Sequence, residues 1–210
     1  VYVATDDQRI FDAVVSFGGK AVMTSENHKS GTDRCFEAFT KVGEGRDVVI
    51  NIQGDEPFIQ PSQIETLCEC FRSEETQIAT LVKPFTTEDG WQALSNPNSP
   101  KVVLNKNMEA MYFSRSVVPF RRGAEPEEWL KTHTYYKHIG LYAYRADVLK
   151  QITELPQSSL EIAESLEQLR WLENGYKIKV GVTNTETIGI DTPDDLKRAE
   201  LFLQSQLNKR

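Results

Sequence analysis

Two aspartates stand where a divalent cation could be held. Asp55 lies in segment 51–57 directly after the apolar run 48–50, and Asp191 follows a second apolar segment, 187–190. Each is therefore predicted at the carboxyl end of a strand, the edge where ligands collect in open α/β sheets. Two carboxylates far apart in sequence could meet there over one site. Hard oxygen ligands of this kind suit Mg2+ and phosphate groups.

Two other groups of residues could bind an anion. Residues 28–34 place small and hydroxylated side chains at a predicted helix start, where free backbone N–H groups bind anions or base edges. An ordinary capped helix start also explains this pattern, and the spacing alone favours that interpretation. The second candidate is a basic pocket formed by Arg115, Arg121, Arg122, Lys137 and His138. Any one of these residues, taken singly, is explained more simply as solvated surface charge.

Composition limits the class of protein. With 210 residues, of which 39% are hydrophobic, the chain can bury one sizeable core, and we predict a single domain over residues 1–210. A formal charge of -7 argues against a nucleic-acid partner. No apolar run approaches the roughly 20 residues that span a bilayer, so no membrane partner is expected. Three cysteines and three histidines without ligand spacing disfavour a zinc site, and reduced thiols fit a cytoplasmic protein.

Hydrophobic periodicity places these residues in an α/β fold. Short β-rich runs alternate with amphipathic helical patterns through the first half of the chain, which indicates a doubly wound, mostly parallel sheet. The predicted strands there are residues 1–4, 21–23, 48–52 and 78–82. Asp6 or Asp7 is expected to cap the first helix, and Pro61 with Ser62 opens the third.

The second half departs from this alternation. Residues 101–104 and 108–113 predict a β-hairpin that projects and could form a dimer contact, although a half-buried sheet is the simpler interpretation. A polar loop is expected at residues 123–131. Ser158 or Ser159 should cap one long helix, 160–174. Its buried stripe is expected to be Ile162, Leu166, Leu169 and Leu172, and the polar face with Glu161, Glu164 and Gln168 is expected to be solvated. The remaining predicted elements are strands 135–144, 178–182 and 187–190 and helices from Ala146 and Pro193.

Seven segments carry a family resemblance. Three of them resemble the sugar-acid cytidylyltransferases: VYVATDD (1–7), HKSGTDR (28–34) and NIQGDEP (51–57). Four later ones narrow the resemblance to the 3-deoxy-manno-octulosonate (Kdo) cytidylyltransferases: YFSR (112–115), KHIGLY (137–142), SLEQLR (165–170) and GIDTP (189–193). The segments follow one another in order and cover nearly the whole chain.

The resemblance implies a Rossmann-like nucleotidyltransferase fold and a defined reaction. Its members transfer CMP from CTP to Kdo with release of pyrophosphate, use Mg2+, and supply the activated sugar for lipopolysaccharide synthesis. The expected partners are CTP, Kdo and a second copy of the chain, joined through the middle hairpin. The implied metal ligands and catalytic residues are Asp55 and Asp191, the nucleotide residues Thr32, Arg34 and Gln53, and the sugar-acid residues Arg115, Arg122, His138, Tyr142, Glu167 and Gln168.

Other interpretations stay open. The chain could activate another acidic sugar, such as a sialic acid or an amino-Kdo, or it could be a non-catalytic nucleotide-binding module. A metal-dependent glycosyltransferase is disfavoured because its aspartates come as a closely spaced pair, whereas Gln53 precedes Asp55 at that spacing.

The sequence departs from the resemblance in two places. The family begins with a strand and a loop whose arginines, serine and lysine grip the triphosphate, and the sequence starts after that loop; the segment alone is therefore expected to be inactive. Lys137 stands where an arginine is expected, which keeps the charge but loses the planar fork.

Overall fold

The computed structural model describes residues 1–43, 45–185, 189–190 and 193–207. The strands found in these residues are β1 (Val3–Thr5), β2 (Ala21–Met23), β3 (Val48–Asn51), β4 (Ile78–Pro84), β5 (Lys101–Leu104), β6 (Ala110–Ser114), β7 (Tyr136–Arg145) and β8 (Ile178–Val182). The helices are α1 (Gln8–Ser16), α2 (Gly31–Val42), α3 (Pro61–Glu69), α4 (Gly90–Ser95), α5 (Trp129–Thr132), α6 (Ala146–Thr153), α7 (Ser159–Glu164), α8 (Gln168–Glu173) and α9 (Pro193–Leu207). The prediction of an α/β fold is confirmed.

The chain divides into two compact units. Unit 1 comprises Val1–Asn51 and Ala143–Pro156, and unit 2 comprises Ile52–Tyr142 and Gln157–Arg210. In unit 1, β1 and β2 pair in parallel, and β3 pairs with β7, whose last residues belong to the same unit. The prediction of a single domain over residues 1–210 stays a prediction.

In unit 2 the strands pair in the order β6, β5, β7, β4, β8. β4 and β8 are parallel, whereas β5 is antiparallel to both β6 and β7. The predicted hairpin is thus present as β5 and β6. Its turn is fastened to β8, since the Val180 N–H donates to the Met108 carbonyl at 2.8 Å and Lys179 Nζ donates to the Asn107 carbonyl at 2.6 Å. The turn therefore does not project as we expected, and its part in dimerisation stays a prediction.

Three predicted helix starts are confirmed by their caps. The Asp7 carboxylate accepts from the Arg9 N–H at 2.8 Å, and Ser30 Oγ accepts from the Asp33 N–H at 3.2 Å. Ser158 forms a reciprocal capping box with Glu161 at the start of α7. Each cap satisfies backbone donors that a helix leaves unpaired at its first turn, so the signal is local and readable from sequence.

The prediction of one helix over residues 160–174 is wrong. α7 ends at Glu164, Ser165 adopts a left-handed conformation with φ 51°, and α8 begins only at Gln168. Ile162, which we assigned to the buried stripe, is 65% exposed, whereas Leu169 is fully buried. The break is stabilised from outside the segment, because Arg115 Nε and Nη2 donate to the carbonyls of Glu164 and Ser165 at its turn.

The predicted polar loop 123–131 also needs correction. It contains the 3-10 turn Pro126–Glu128 and the short helix α5. Trp129 is buried, stacks on Tyr135 with ring centroids 6.1 Å apart, and meets Trp91 edge to face. A satellite core therefore lies beneath this segment, formed by Leu94, Trp129 and Tyr135.

Two further expectations concern strands and thiols. The first two positions of the predicted strand 187–190 fall outside the described residues, and the last two, 189 and 190, carry no strand assignment. All three cysteines are free, in line with reduced thiols. Among the helices formed by the described residues, none combines the length and the apolar character needed to cross a bilayer.

One buried cation joins three segments of unit 2. Lys101 is fully buried, and its ammonium donates to the carbonyls of Asn96 at 2.9 Å, Ser99 at 3.0 Å and Arg115 at 2.7 Å. These three acceptors use all of its N–H groups. Burial lowers the pKa of Lys101 to about 8 from its ordinary 10.5, although nearby Glu164 favours the charged form.

We expect Lys101→Met to lower the free energy of unfolding by roughly 1–3 kcal/mol at pH 7, because it leaves buried carbonyls without donors. Between pH 8 and 10.5 the unfolded chain keeps a proton that folded Lys101 has released. The contribution of Lys101 to stability therefore rises with pH across this window. Urea unfolding at pH 7.5, 9 and 10 should show a growing difference between the two proteins; a difference that shrinks would contradict the lowered pKa.

Candidate active site

The loop after β3 carries the predicted metal ligand Asp55. β3 ends at Asn51, and the backbone then turns, with the Glu56 N–H donating to the Gln53 carbonyl at 3.1 Å. The Asp55 side chain is exposed. The Ile190 N–H donates to the Asp55 carbonyl at 2.8 Å, so the segment that precedes Asp191 in sequence lies against this loop. Asp191 itself lies outside the described residues.

These residues fit a magnesium ion in their chemistry. Carboxylate oxygens are the hard ligands that Mg2+ prefers, and it usually takes only one or two of them and completes its shell with water and substrate phosphates. Within the described part of the chain, no cluster of three or more His, Cys, Asp or Glu side chains could hold a metal ion. A site of two carboxylates, one of them Asp191, would not form such a cluster.

Two of the predicted sugar-acid residues lie side by side on β7. The rings of His138 and Tyr142 have centroids 5.3 Å apart. Phe113 meets His138 edge to face at 5.2 Å, and Trp171 meets Tyr142 edge to face at 5.1 Å. The imidazole is thus held between aromatic neighbours, which fixes its orientation and shields its two faces from water.

His138 is neutral in this setting. Burial lowers its pKa to about 3, so it adds no positive charge to the basic pocket that we considered. Its Nε2 lies 3.1 Å from Thr80 Oγ1, which also lies 2.9 Å from the Leu141 carbonyl and 3.2 Å from the Ile139 carbonyl. Because carbonyls only accept, all three contacts of Thr80 Oγ1 are compatible when its hydroxyl proton goes to a carbonyl and Nε2 donates to Oγ1, and we assign this tautomer. Nδ1 is then left as an acceptor.

Glu167 and Gln168 lie together at the start of α8. The Glu167 carboxylate is 3.6 Å from Arg170 Nη2. Gln168 is 5% exposed, and its Nε2 has no hydrogen-bond partner among the described residues. A buried amide left without a partner is costly. Gln168 thus offers a donor that a polar ligand could satisfy.

The two predicted sugar-acid arginines differ in their surroundings. Arg115 donates from Nε to the Glu164 carbonyl at 2.7 Å, from Nη1 to the Pro97 carbonyl at 3.1 Å and from Nη2 to the Ser165 carbonyl at 3.2 Å. Its guanidinium therefore fastens backbone segments to one another. Arg122 is exposed in the loop before α5. Contact of either residue with a sugar acid stays a prediction.

The predicted nucleotide residues Thr32 and Arg34 belong to unit 1, in the first turn of α2. Thr32 is buried. Arg34 donates to Thr24 Oγ1 and to the Asp6 carboxylate, both at 2.7 Å, and this hydrogen bond holds the pKa of Asp6 below its ordinary value. The guanidinium thus ties the end of β1 to the segment after β2.

Sequence reasoning missed Glu164 and Lys101. The Glu164 carboxylate accepts from Ser114 Oγ at 2.6 Å and from the Arg115 N–H at 2.9 Å. We had placed Glu164 on a solvated helix face, because its partners are 49 and 50 residues away and no local pattern signals them. For Lys101, the only available signal was a lysine at the start of an otherwise apolar strand.

Comparison with known proteins identifies the family of the chain. The family described as cytidylyltransferase matches residues 1–178. The 3-deoxy-manno-octulosonate cytidylyltransferase of Phocaeicola vulgatus is 73% identical over 205 residues, which cover 98% of this chain and 81% of that protein.

Solved structures extend the comparison. CMP:2-keto-3-deoxy-manno-octonic acid synthetase, in complex with CTP, is 42% identical with a TM-score of 0.88, covering 98% of this chain and 81% of that one. A glucose-1-phosphate thymidylyltransferase from Bacillus anthracis is 16% identical with a TM-score of 0.57, covering 93% and 71%. The second likeness shows the fold alone.

We expect the His138 ring to show no titration between pH 5 and 8 and to carry its proton on Nε2, because desolvation disfavours the imidazolium and Thr80 accepts from Nε2. Two-dimensional NMR of the imidazole nitrogens and carbons measures both properties, and a His138→Asn variant identifies the signals among the three histidines. A midpoint near 6.5 at this ring would contradict the neutral assignment.

Proposed function

The chain belongs to the cytidylyltransferase family, and we propose that it transfers CMP from CTP to Kdo with release of pyrophosphate. The observation that carries the proposal is the close likeness to a CTP-bound CMP:2-keto-3-deoxy-manno-octonic acid synthetase over 98% of this chain. The 73% identity to a relative with the same acceptor sugar in its name supports the choice of Kdo. The product would supply lipopolysaccharide synthesis.

The residues of unit 2 supply the groups that recognition of a sugar acid needs. Hydroxyls require acceptors and donors, which His138 Nδ1, the Glu167 carboxylate and Gln168 Nε2 provide. The carboxylate requires donors, and Arg122 is the exposed cation among the residues we predicted for this role. A wrong substrate that leaves one of these buried groups without a partner binds more weakly, so these groups would set the specificity.

The reaction is a displacement at phosphorus. The anomeric hydroxyl of Kdo attacks the α-phosphorus of CTP in line, the new O–P bond forms as the bond to pyrophosphate breaks, and the hydroxyl proton is released. Such transfers need little covalent help from a protein, so positioning and charge stabilisation carry most of the barrier reduction. Gln53, Thr32 and Arg34 are proposed to hold the nucleotide, and the β7 and α8 residues to orient the sugar acid.

Asp55 and Asp191 would hold Mg2+. When bound, the ion supplies positive charge that offsets the charge on the phosphates. The support from this structure is the hydrogen bond that the Ile190 N–H donates to the Asp55 carbonyl. Asp191 is the residue that follows Ile190 in the sequence.

Assembly and location are proposed on the family resemblance. We propose a homodimer in the cytoplasm, joined through the hairpin of β5 and β6. Met111 in β6 and Phe120 in the following loop are 61% and 77% exposed, so this part of the chain presents apolar side chains that a second copy would cover.

We expect the intact protein to release pyrophosphate from CTP with Kdo, and far more slowly with a sialic acid or an amino-Kdo, because the buried polar groups on β7 and α8 would be left mispaired. Initial rates in a coupled pyrophosphate assay with each sugar and with CTP, ATP or UTP measure this. A preference for a different acidic sugar would contradict Kdo as the substrate and leave the cytidylyltransferase reaction unchanged. Absence of turnover with every sugar would point to a non-catalytic nucleotide-binding module.

Asp55→Asn and Asp191→Ala should each lower kcat by roughly a hundredfold or more, because each removes a carboxylate that would hold Mg2+. Calorimetric titration with Mg2+ tests the same role without turnover and should lose its signal in both variants. Asp47→Asn, the same change at an exposed carboxylate before β3, serves as the control for Asp55. Unchanged Mg2+ binding in both variants would exclude these aspartates as the ligands.

A further inference from the structure

The turn between α7 and α8 is tied to the end of β6 through Glu164. One carboxylate oxygen accepts from Ser114 Oγ at 2.6 Å, and the other accepts from the Arg115 N–H at 2.9 Å. The carbonyl of the same residue accepts from Arg115 Nε at 2.7 Å. Glu164 therefore uses both its side chain and its backbone to hold one short segment of β6, and hydrogen bonds to an ionised acceptor are among the stronger ones.

The groups that bind Glu164 are themselves buried and fixed in place. Ser114 is almost fully buried, and the carbonyl of Arg115 accepts from the buried ammonium of Lys101 at 2.7 Å. The donors that meet Glu164 are thus fixed by packing and by a cation that joins three segments. Because these donors are fixed, the Glu164 carboxylate that binds them has little freedom to move.

The turn is held from its other side by Arg170. This buried guanidinium donates to both carboxylate oxygens of Glu161 at 2.8 and 2.6 Å, and lies 3.6 Å from Glu167. Residues 165–168 therefore lie between two fixed points, Glu164 and Arg170. Ser165, inside this interval, has a left-handed backbone conformation, which residues other than glycine rarely adopt.

We propose that Glu164 is a positioning residue for the sugar-acid subsite, which sets the placement of Glu167 and Gln168 by fixing the α7–α8 turn to β6. This role rests on the proposed function. Glu167 and Gln168 follow Glu164 by three and four residues. Within the segment from Glu164 to Gln168, Ser165 is the residue with a left-handed conformation. A shift of the turn would move the unpaired amide of Gln168 away from its place.

The role predicts an effect on one substrate only. Glu164 and its partners belong to unit 2, together with Glu167 and Gln168. Of the predicted nucleotide residues, Thr32 and Arg34 belong to unit 1, where Thr24 and Asp6 hold Arg34. Gln53 belongs to unit 2 but lies in the loop after β3, outside the α7–α8 turn. Loosening the turn should therefore weaken sugar-acid binding and leave CTP binding nearly unchanged.

The experiment measures KM for both substrates in Glu164→Gln. An amide in place of the carboxylate keeps the size but replaces one acceptor by a donor, which then faces Ser114 or the Arg115 N–H. We expect KM for Kdo to rise roughly tenfold and KM for CTP to change less than about twofold, since small misplacement of binding groups has large effects. Ser114→Ala, a milder change, should give a smaller rise of the same kind, and the two changes together should be non-additive.

Glu173→Gln is the matched control. Glu173 also joins α7 to α8, by accepting from Ser159 Oγ at 3.0 Å and the Leu160 N–H at 3.1 Å, but it lies at the end of α8 away from the turn. It should leave KM for Kdo unchanged. An equal rise in both KM values in Glu164→Gln, no rise at all, or the same rise in Glu173→Gln would overturn the positioning role. A wild-type protein that releases no pyrophosphate from CTP and Kdo would overturn the proposed function itself and this role with it.

Discussion

A buried ammonium persists in a protein when carbonyl oxygens replace the water that it loses, and Lys101 meets this condition with three of them. The requirement works in both directions, because those carbonyls also depend on the lysine for their donors. It fixes the start of β5 to the segment before it and to Arg115 at the end of β6. Arg115 in turn holds the carbonyls of Glu164 and Ser165. The geometry of the α7–α8 turn thus traces back to one desolvated cation.

The sequence predicted those features whose causes are local. The caps predicted at Asp7 and Ser158, and the helix start predicted within residues 28–34, depend on residues two or three positions apart. Period-two and period-3.6 patterns identified most strands and helices. His138 and Tyr142, which the resemblance grouped, lie side by side. Their spacing of four on a strand puts both on one face, which the alternation of side chains explains.

The failures share the opposite property. The break at Ser165 depends on Arg115, and the burial of Trp129 in an otherwise polar stretch depends on Trp91 and Tyr135. None of these partners is readable from the local pattern, since a favourable helix periodicity is overridden when a distant side chain satisfies the freed carbonyls. The same reason explains why Glu164 was taken for a solvated residue. A polar face of a helix and a polar face that binds another element look alike in sequence.

The chemistry of the sugar-acid residues also differs from what charge counting suggested. His138 is neutral, and Arg115 donates from each of its three nitrogen atoms to a backbone carbonyl. His138 therefore adds no charge to attract an acid, and the Arg115 guanidinium keeps its charge but is fixed in place by the backbone. What this region offers instead is oriented neutral polarity, with an acceptor at His138 and an unpaired donor at Gln168. An unpaired buried donor destabilises the free protein, and a ligand that bonds to it recovers this cost. Groups of this kind discriminate between sugars by the positions of their hydroxyls, whereas a charged pocket would accept any acid of suitable size.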